Sequence, residues 1–125
     1  MLRPRRAALS LVLAATVAVL TGCGSEPPAR VDALLVELAL TDYRIEPQRV
    51  EAPSGRLRLT VRNTGRVPHN LEIRGPGGRV RWRISTLLPG ESGQGRVRLP
   101  PGEWTLYCAI GNHEELGQHG ELRTR

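Results

Sequence analysis

The chain has 125 residues, 18 of them basic and 12 acidic, for a net charge of +6, with 3 His, 2 Cys and no Phe. Every basic residue is Arg, and the arginines are scattered and rarely adjacent to aromatics, so the composition carries no footprint of nucleic-acid binding. Two cysteines exclude a four-cysteine zinc site, and the length supports one domain.

The first segment reads as an address. Arg3, Arg5 and Arg6 precede an uncharged run from Ala7 to Leu20 that stops at Thr21-Gly22-Cys23. The run is short of the roughly 20 apolar residues of a spanning helix, and small residues before Cys23 fit a cleavage site, so residues 1–22 are expected to be a signal peptide. Leu20-Thr21-Gly22-Cys23 resembles the bacterial lipobox, which implies lipidation of Cys23, export, and a membrane anchor. Removing Arg3, Arg5 and Arg6 and no acid lowers the net charge from +6 to +3. Residues 23–33, rich in Gly, Ser, Pro and charge, read as the lipidated Cys and a flexible tether.

The remaining domain, 34–125, reads as all-β. Strand-length segments of alternating character span Leu34 to Asp42, Arg56 to Asn63, Asn70 to Arg74, Arg79 to Ile84, Gly95 to Leu99 and Trp104 to Cys108. The clearest is Arg56-Leu57-Arg58-Leu59-Thr60-Val61-Arg62, with Leu57, Leu59 and Val61 on one face. Val31 to Leu40 is locally ambiguous between helix and strand. It reads as strand because Val36, Leu38 and Leu40 alternate with Glu37 and Ala39. Turn residues at Pro53-Ser54-Gly55, Asn63-Thr64-Gly65, Gly75-Pro76-Gly77-Gly78, Pro89-Gly90 and Pro100-Pro101-Gly102 recur at the spacing of a β-sandwich.

With Cys23 assigned to lipid, Cys108 is the one thiol left, so it is a ligand, a reactive group, an intermolecular partner or a buried small hydrophobe. It opens the run Cys108-Ala109-Ile110-Gly111-Asn112-His113-Glu114-Glu115-Leu116-Gly117-Gln118-His119-Gly120, and His69 stands upstream in Val67-Pro68-His69-Asn70. A thiolate with two imidazoles and a weak fourth ligand is the donor set of a blue-copper site. Zinc with a Cys-His-His set remains open, although Gln would be an unusual fourth ligand for it.

These residues resemble the cupredoxin family over nearly all of 34–125. Leu59 to Leu71 is similar to the family's strand, turn and first His ligand. Leu88-Pro89-Gly90-Glu91-Ser92 and Leu99 to Cys108 are similar to its approach strands, and Cys-x4-His-x4-Gln-x-Gly to its ligand loop. The resemblance implies a Greek-key β-sandwich binding one copper ion through His69, Cys108 and His113. It places Gln118 where most members have Met, and stellacyanin-type members imply an axial Gln. His119 is the rival fourth ligand, but strand alternation turns it away from whatever Gln118 faces. Asn70 matches the position that ties the two ligand loops together. Glu114 and Glu115 read as solvated loop-tip charges, or as a small acidic docking spot beside His113.

The implied function is a monomeric, membrane-anchored one-electron carrier outside the cytoplasmic membrane that docks to redox proteins and is not an enzyme. Copper delivery and a metal-free interaction module are the alternatives. A nucleophilic Cys108 with His113 as base has no third orienting group beside it in the sequence.

Overall fold

The computed structural model describes residues 24–125; the expected signal peptide and Cys23 lie outside the described residues. Ten strands follow in chain order: β1 (Ala29–Arg30), β2 (Leu35–Thr41), β3 (Arg44–Glu46), β4 (Arg49–Ala52), β5 (Gly55–Asn63), β6 (His69–Arg74), β7 (Val80–Leu87), β8 (Ser92–Leu99), β9 (Gly102–Tyr107) and β10 (His119–Thr124). They form a six-stranded sheet in the order β1-β4-β10-β9-β6-β7 and a four-stranded sheet in the order β3-β2-β5-β8. This is the expected all-β Greek-key sandwich. Residues 31–40 hold strand, not helix.

The period-2 reading explains the core. In β5, Leu57, Leu59 and Val61 are buried while Arg56, Arg58 and Arg62 are exposed. Val36, Leu38 and Leu40 of β2 face the same interior, because β2 lies parallel to β5 with Val36 beside Leu59 and Leu38 beside Val61. The six-stranded sheet answers with Val50, Leu71, Ile73, Trp104, Leu106 and Leu122. Burying one such side chain is worth about 1.5–3 kcal/mol relative to exposing it. Trp104 keeps its indole N–H satisfied by donating to Thr124 Oγ1 at 2.9 Å, and that hydroxyl donates on to the Pro100 carbonyl at 2.6 Å.

Element boundaries differ from the sequence expectation in several places. The tether reading of 23–33 is corrected at Ala29–Arg30, which pair in parallel with Val50 and Glu51 of β4. The strand expected to open at Gly95 opens at Ser92. Its inward positions Gly93 and Gly95 are places where a Cβ would lie 2.2 Å from Ile84 and 2.5 Å from Trp82, so the glycines admit those two side chains of β7 at the sandwich edge. β3, β4 and β10 were not among the expected strands. In β10 the inward residues are Gly120, Leu122 and Thr124, two of which carry no hydrophobic signal.

Candidate metal centre

The site is built at one end of the sandwich by three loops. β5 ends at Asn63, which is fully buried and has its amide engaged on both sides. Its Nδ2 donates to the carbonyls of Val67 at 2.9 Å and Leu87 at 2.8 Å, and its Oδ1 accepts the Gly65 N–H at 2.9 Å. The 63–69 connection is thereby fixed, and it delivers His69 to the first position of β6, buried.

Cys108 follows β9 directly and is 1% exposed. The loop after it closes on itself: the Cys108 N–H donates to Gln118 O at 3.1 Å, and the Gln118 N–H to His113 O at 3.0 Å. His113 is thus held back over Cys108, with its Nδ1 3.6 Å from Sγ. One donor atom from each of His69, Cys108 and His113 lies within 4.8 Å of the other two. His113 alone of the three is partly exposed.

Asn70 accepts the Ala109 N–H on Oδ1 at 2.7 Å and so joins the His69 strand to the Cys108 loop. Gln118 is fully buried and His119 is exposed, the opposition that alternation predicts. The Gln118 Nε2 donates to the carbonyls of Thr41 at 2.7 Å and Arg44 at 3.2 Å.

The residues that sequence reasoning missed sit in the β2–β3 turn, Thr41 to Arg44. Asp42 Oδ1 lies 3.3 Å from His69 Nε2 and also accepts the Arg66 N–H at 2.8 Å, while Oδ2 meets Arg66 Nε at 3.2 Å. The backbone N–H of Arg66 foremost, with its guanidinium and His69, holds the Asp42 carboxyl at about 2, below the ordinary 3.8. A carboxylate partner places the imidazole proton on Nε2 and leaves Nδ1 as a lone pair, the arrangement of metal-bound histidines. Gly65 makes the approach possible: a Cβ there would stand 2.3 Å from Asp42 Oδ1 and 3.0 Å from His69 Nε2. Tyr43, at φ 66°, sets its ring edge-on to both His69 and His113, with centroids 6.4 and 5.1 Å away. The one signal for this turn in the sequence is a short polar break after an alternating strand.

Glu114 is not a free loop-tip charge. It forms a two-point ion pair with Arg74 of β6, and the Arg74 guanidinium lies 4.2 Å from the Tyr107 ring centroid. The Tyr107 hydroxyl donates to Glu72 at 2.6 Å; burial first, then this hydrogen bond, pushes its ionisation up. Of the two loop acids, Glu115 has no ion-pair partner among the described residues, and Glu114 fastens the ligand loop to β6.

Whether these residues fit a metal can be read from polar atoms left over. Among the described residues, two buried side-chain N or O atoms have no hydrogen-bond partner, His69 Nδ1 and Gln118 Oε1. An unpaired buried acceptor costs about 1–3 kcal/mol, so a lone pair left free on His69, which is gathered with Cys108 and His113, fits an electron-pair acceptor. A thiolate with two imidazoles suits copper or zinc, and it is the donor set of blue-copper sites.

A small β-sandwich that carries a thiol and two imidazoles converging at one end is in the class of type 1 copper proteins. The chain belongs to the cupredoxin family: the cupredoxin-like domain matches residues 11–122. No curated protein matches it. Among solved structures it is similar to the reduced auracyanin of the photosynthetic bacterium Roseiflexus castenholzii, at 18% identity and a TM-score of 0.69, covering 76% of this chain and 99% of that one. It is similar also to auracyanin A, a "blue" copper protein of Chloroflexus aurantiacus, at 12% identity and TM-score 0.65, covering 78% and 100%. A multicopper oxidase matches at 17% identity and TM-score 0.58, with 41% of its length covered. At these identities the likeness is one of fold. The cofactor is copper, with His69, Cys108 and His113 positioned as its type 1 site.

Proposed function

We propose that the chain is an exported, membrane-anchored carrier of single electrons, with Gln118 Oε1 as axial ligand to the copper and Asn70 as the tie between its ligand loops. The observation that carries this reading is the ligand end itself: donor atoms already gathered and held by Asn63, Asn70, Asp42 and the closed 108–118 loop. Copper held there supplies a Cu(II)/Cu(I) couple. What the chain contributes is a set of side chains that do not rearrange when the charge changes, so electron exchange meets a small reorganisation barrier. His113, the partly exposed ligand, is the edge a redox partner would approach. The carrier reading is favoured over an enzyme because the chain has 3 His, and a multicopper cluster needs more.

Anchoring rests on Cys23 and the lipobox-like residues before it. Among the described residues no helix is long and apolar enough to cross a membrane.

The test is Cu(II) titration of residues 24–125, which contain all ten strands and the whole core, followed by visible and EPR spectra. An intense thiolate-to-copper band, abolished in Cys108→Ser, with a reversible midpoint, is the expected result. Tight copper binding with no reversible couple, and transfer of the metal to an acceptor, would instead make it a delivery protein.

A further inference from the structure

The arginines that look scattered in the sequence are gathered by the fold. Strand β5 turns Arg56, Arg58 and Arg62 to the outer face of the four-stranded sheet, and β8 turns Arg96 and Arg98 to the same face. The antiparallel register sets Arg56 directly opposite Arg98 and Arg58 directly opposite Arg96. All five are exposed, and among the described residues none of them makes an ion pair, whereas Arg30, Arg66, Arg74, Arg83 and Arg125 each do. Like charges directly opposite in a sheet repel. An anionic partner relieves that repulsion.

We propose that this face is a docking surface for an anionic phospholipid membrane. Three observations select a bilayer over other polyanions. The face is a sheet surface with strands about 4.8 Å apart, presenting its guanidinium groups side by side, each able to hold phosphate oxygens in a two-point hydrogen bond. At its edge stand two exposed leucines, Leu34 at 48% and Leu35 at 38% exposure. They belong to the same patch: Leu35 is the register partner of Arg58, and the Leu34 carbonyl accepts the Arg58 N–H at 2.7 Å. Apolar side chains beside a basic cluster suit the headgroup boundary, where the leucines leave water as the arginines meet phosphate. A nucleic acid would use the arginines and gain little from the leucines.

The geometry keeps the metal end clear. Four of the five arginines, Arg56, Arg58, Arg96 and Arg98, lie toward the Gly55–Leu99 end of the β5–β8 ladder, with Arg62 nearer the other end, from which the ligand loops emerge beyond Asn63. A domain resting on this face leaves His113 facing the water-borne partner. The inference depends neither on copper nor on a lipid at Cys23, because it rests on residues of the sheet alone.

The test is flotation of residues 24–125 with vesicles of phosphatidylglycerol and phosphatidylcholine in equal parts, against vesicles of phosphatidylcholine alone. Without Cys23 no acyl chain can contribute, and far-UV circular dichroism checks that each variant is folded whether or not it binds copper. Binding to the anionic vesicles alone, weakened by salt, is expected. Each basic residue at an anionic surface contributes about five-fold, so Arg58→Gln/Arg96→Gln/Arg98→Gln should weaken binding about 100-fold. The control Arg79→Gln/Arg81→Gln/Arg123→Gln removes the same charge from β7, β10 and the turn before β7 and should change it far less. Leu34→Ser/Leu35→Ser should weaken vesicle binding while leaving binding to a DNA oligonucleotide unchanged. Equal losses in the two arginine variants would reduce the effect to net charge and overturn the assignment. So would absence of vesicle binding, or DNA binding with the same arginine dependence and no role for the leucines.

Discussion

Strand β5 connects two regions that treat polar groups in opposite ways. At its end, Asn63 is buried and every polar group of its side chain is matched, to Val67, Leu87 and Gly65. Along its outer face, Arg56, Arg58 and Arg62 stand in water with no ion-pair partner among the described residues. The metal end has settled its hydrogen bonds internally and left over two acceptor atoms, His69 Nδ1 and Gln118 Oε1. The arginine face has settled nothing internally. The first is pre-organised for a small, fixed ligand, and the second for a broad surface that supplies the missing charges itself.

If the metal end owes its geometry to internal pairing, the most damaging change is one that separates a pair without touching a ligand. Gly65→Ala places a methyl group 2.3 Å from Asp42 Oδ1 and 3.0 Å from His69 Nε2, so both must move. Loss of an outer hydrogen-bond partner costs about 10–100-fold in metal affinity, and this variant should fall at the upper end, measured by competition for Cu(II) with a chelator. Wild-type affinity in Gly65→Ala would mean that the Asp42–His69 contact is incidental. Asp42→Asn removes the charge and keeps the shape, so a loss of about 10-fold is expected. The less basic His69 also favours Cu(II) less, and the midpoint potential should rise.

Gln118→Met sharpens the comparison from the other side. A thioether is softer than an amide oxygen and favours Cu(I), so the midpoint should rise. The Thr41 and Arg44 carbonyls lose their donor at the same time, at a cost of about 1–3 kcal/mol for a buried group left unpaired, which denaturant titration would read. An unchanged midpoint would place Gln118 outside the coordination sphere and leave its amide as a brace for the β2–β3 turn.

Much of this was legible in the sequence because the signals are local. Leu57, Leu59 and Val61 alternate with arginines, and Cys108, His113 and Gln118 share one short loop. What escaped depends on register. Asp42 and His69 are 27 positions apart and meet because the turn after β2 lies beside the 63–69 loop at the same end of the sandwich. The strand expected from Gly95 opens at Ser92, and Gly93 carries no apolar signal because the volume it leaves is filled by Ile84 of another strand. The arginines seem dispersed at 56, 58, 62, 96 and 98 until the β5–β8 ladder folds one run back on the other. Composition showed how many there were, and pairing showed that they form a face.

The smallest effect expected is on acid stability, and its sign follows from Asp42. Its carboxyl is held at about 2 in the folded chain against an ordinary 3.8, so the folded state binds the proton less readily than the unfolded one. A group depressed in this way contributes stability that is fully present above its unfolded value and is lost as the pH falls through its folded value. In the copper-free domain, melting temperature should therefore decline between about pH 4 and pH 2. Asp42→Asn, with no charge to lose there, should start from a lower melting temperature at neutral pH and decline less steeply over that window. Parallel curves for the two proteins would show that the Arg66 and His69 contacts do not stabilise the carboxylate, and the pre-organised end would then owe its shape to Asn63 and Asn70 instead.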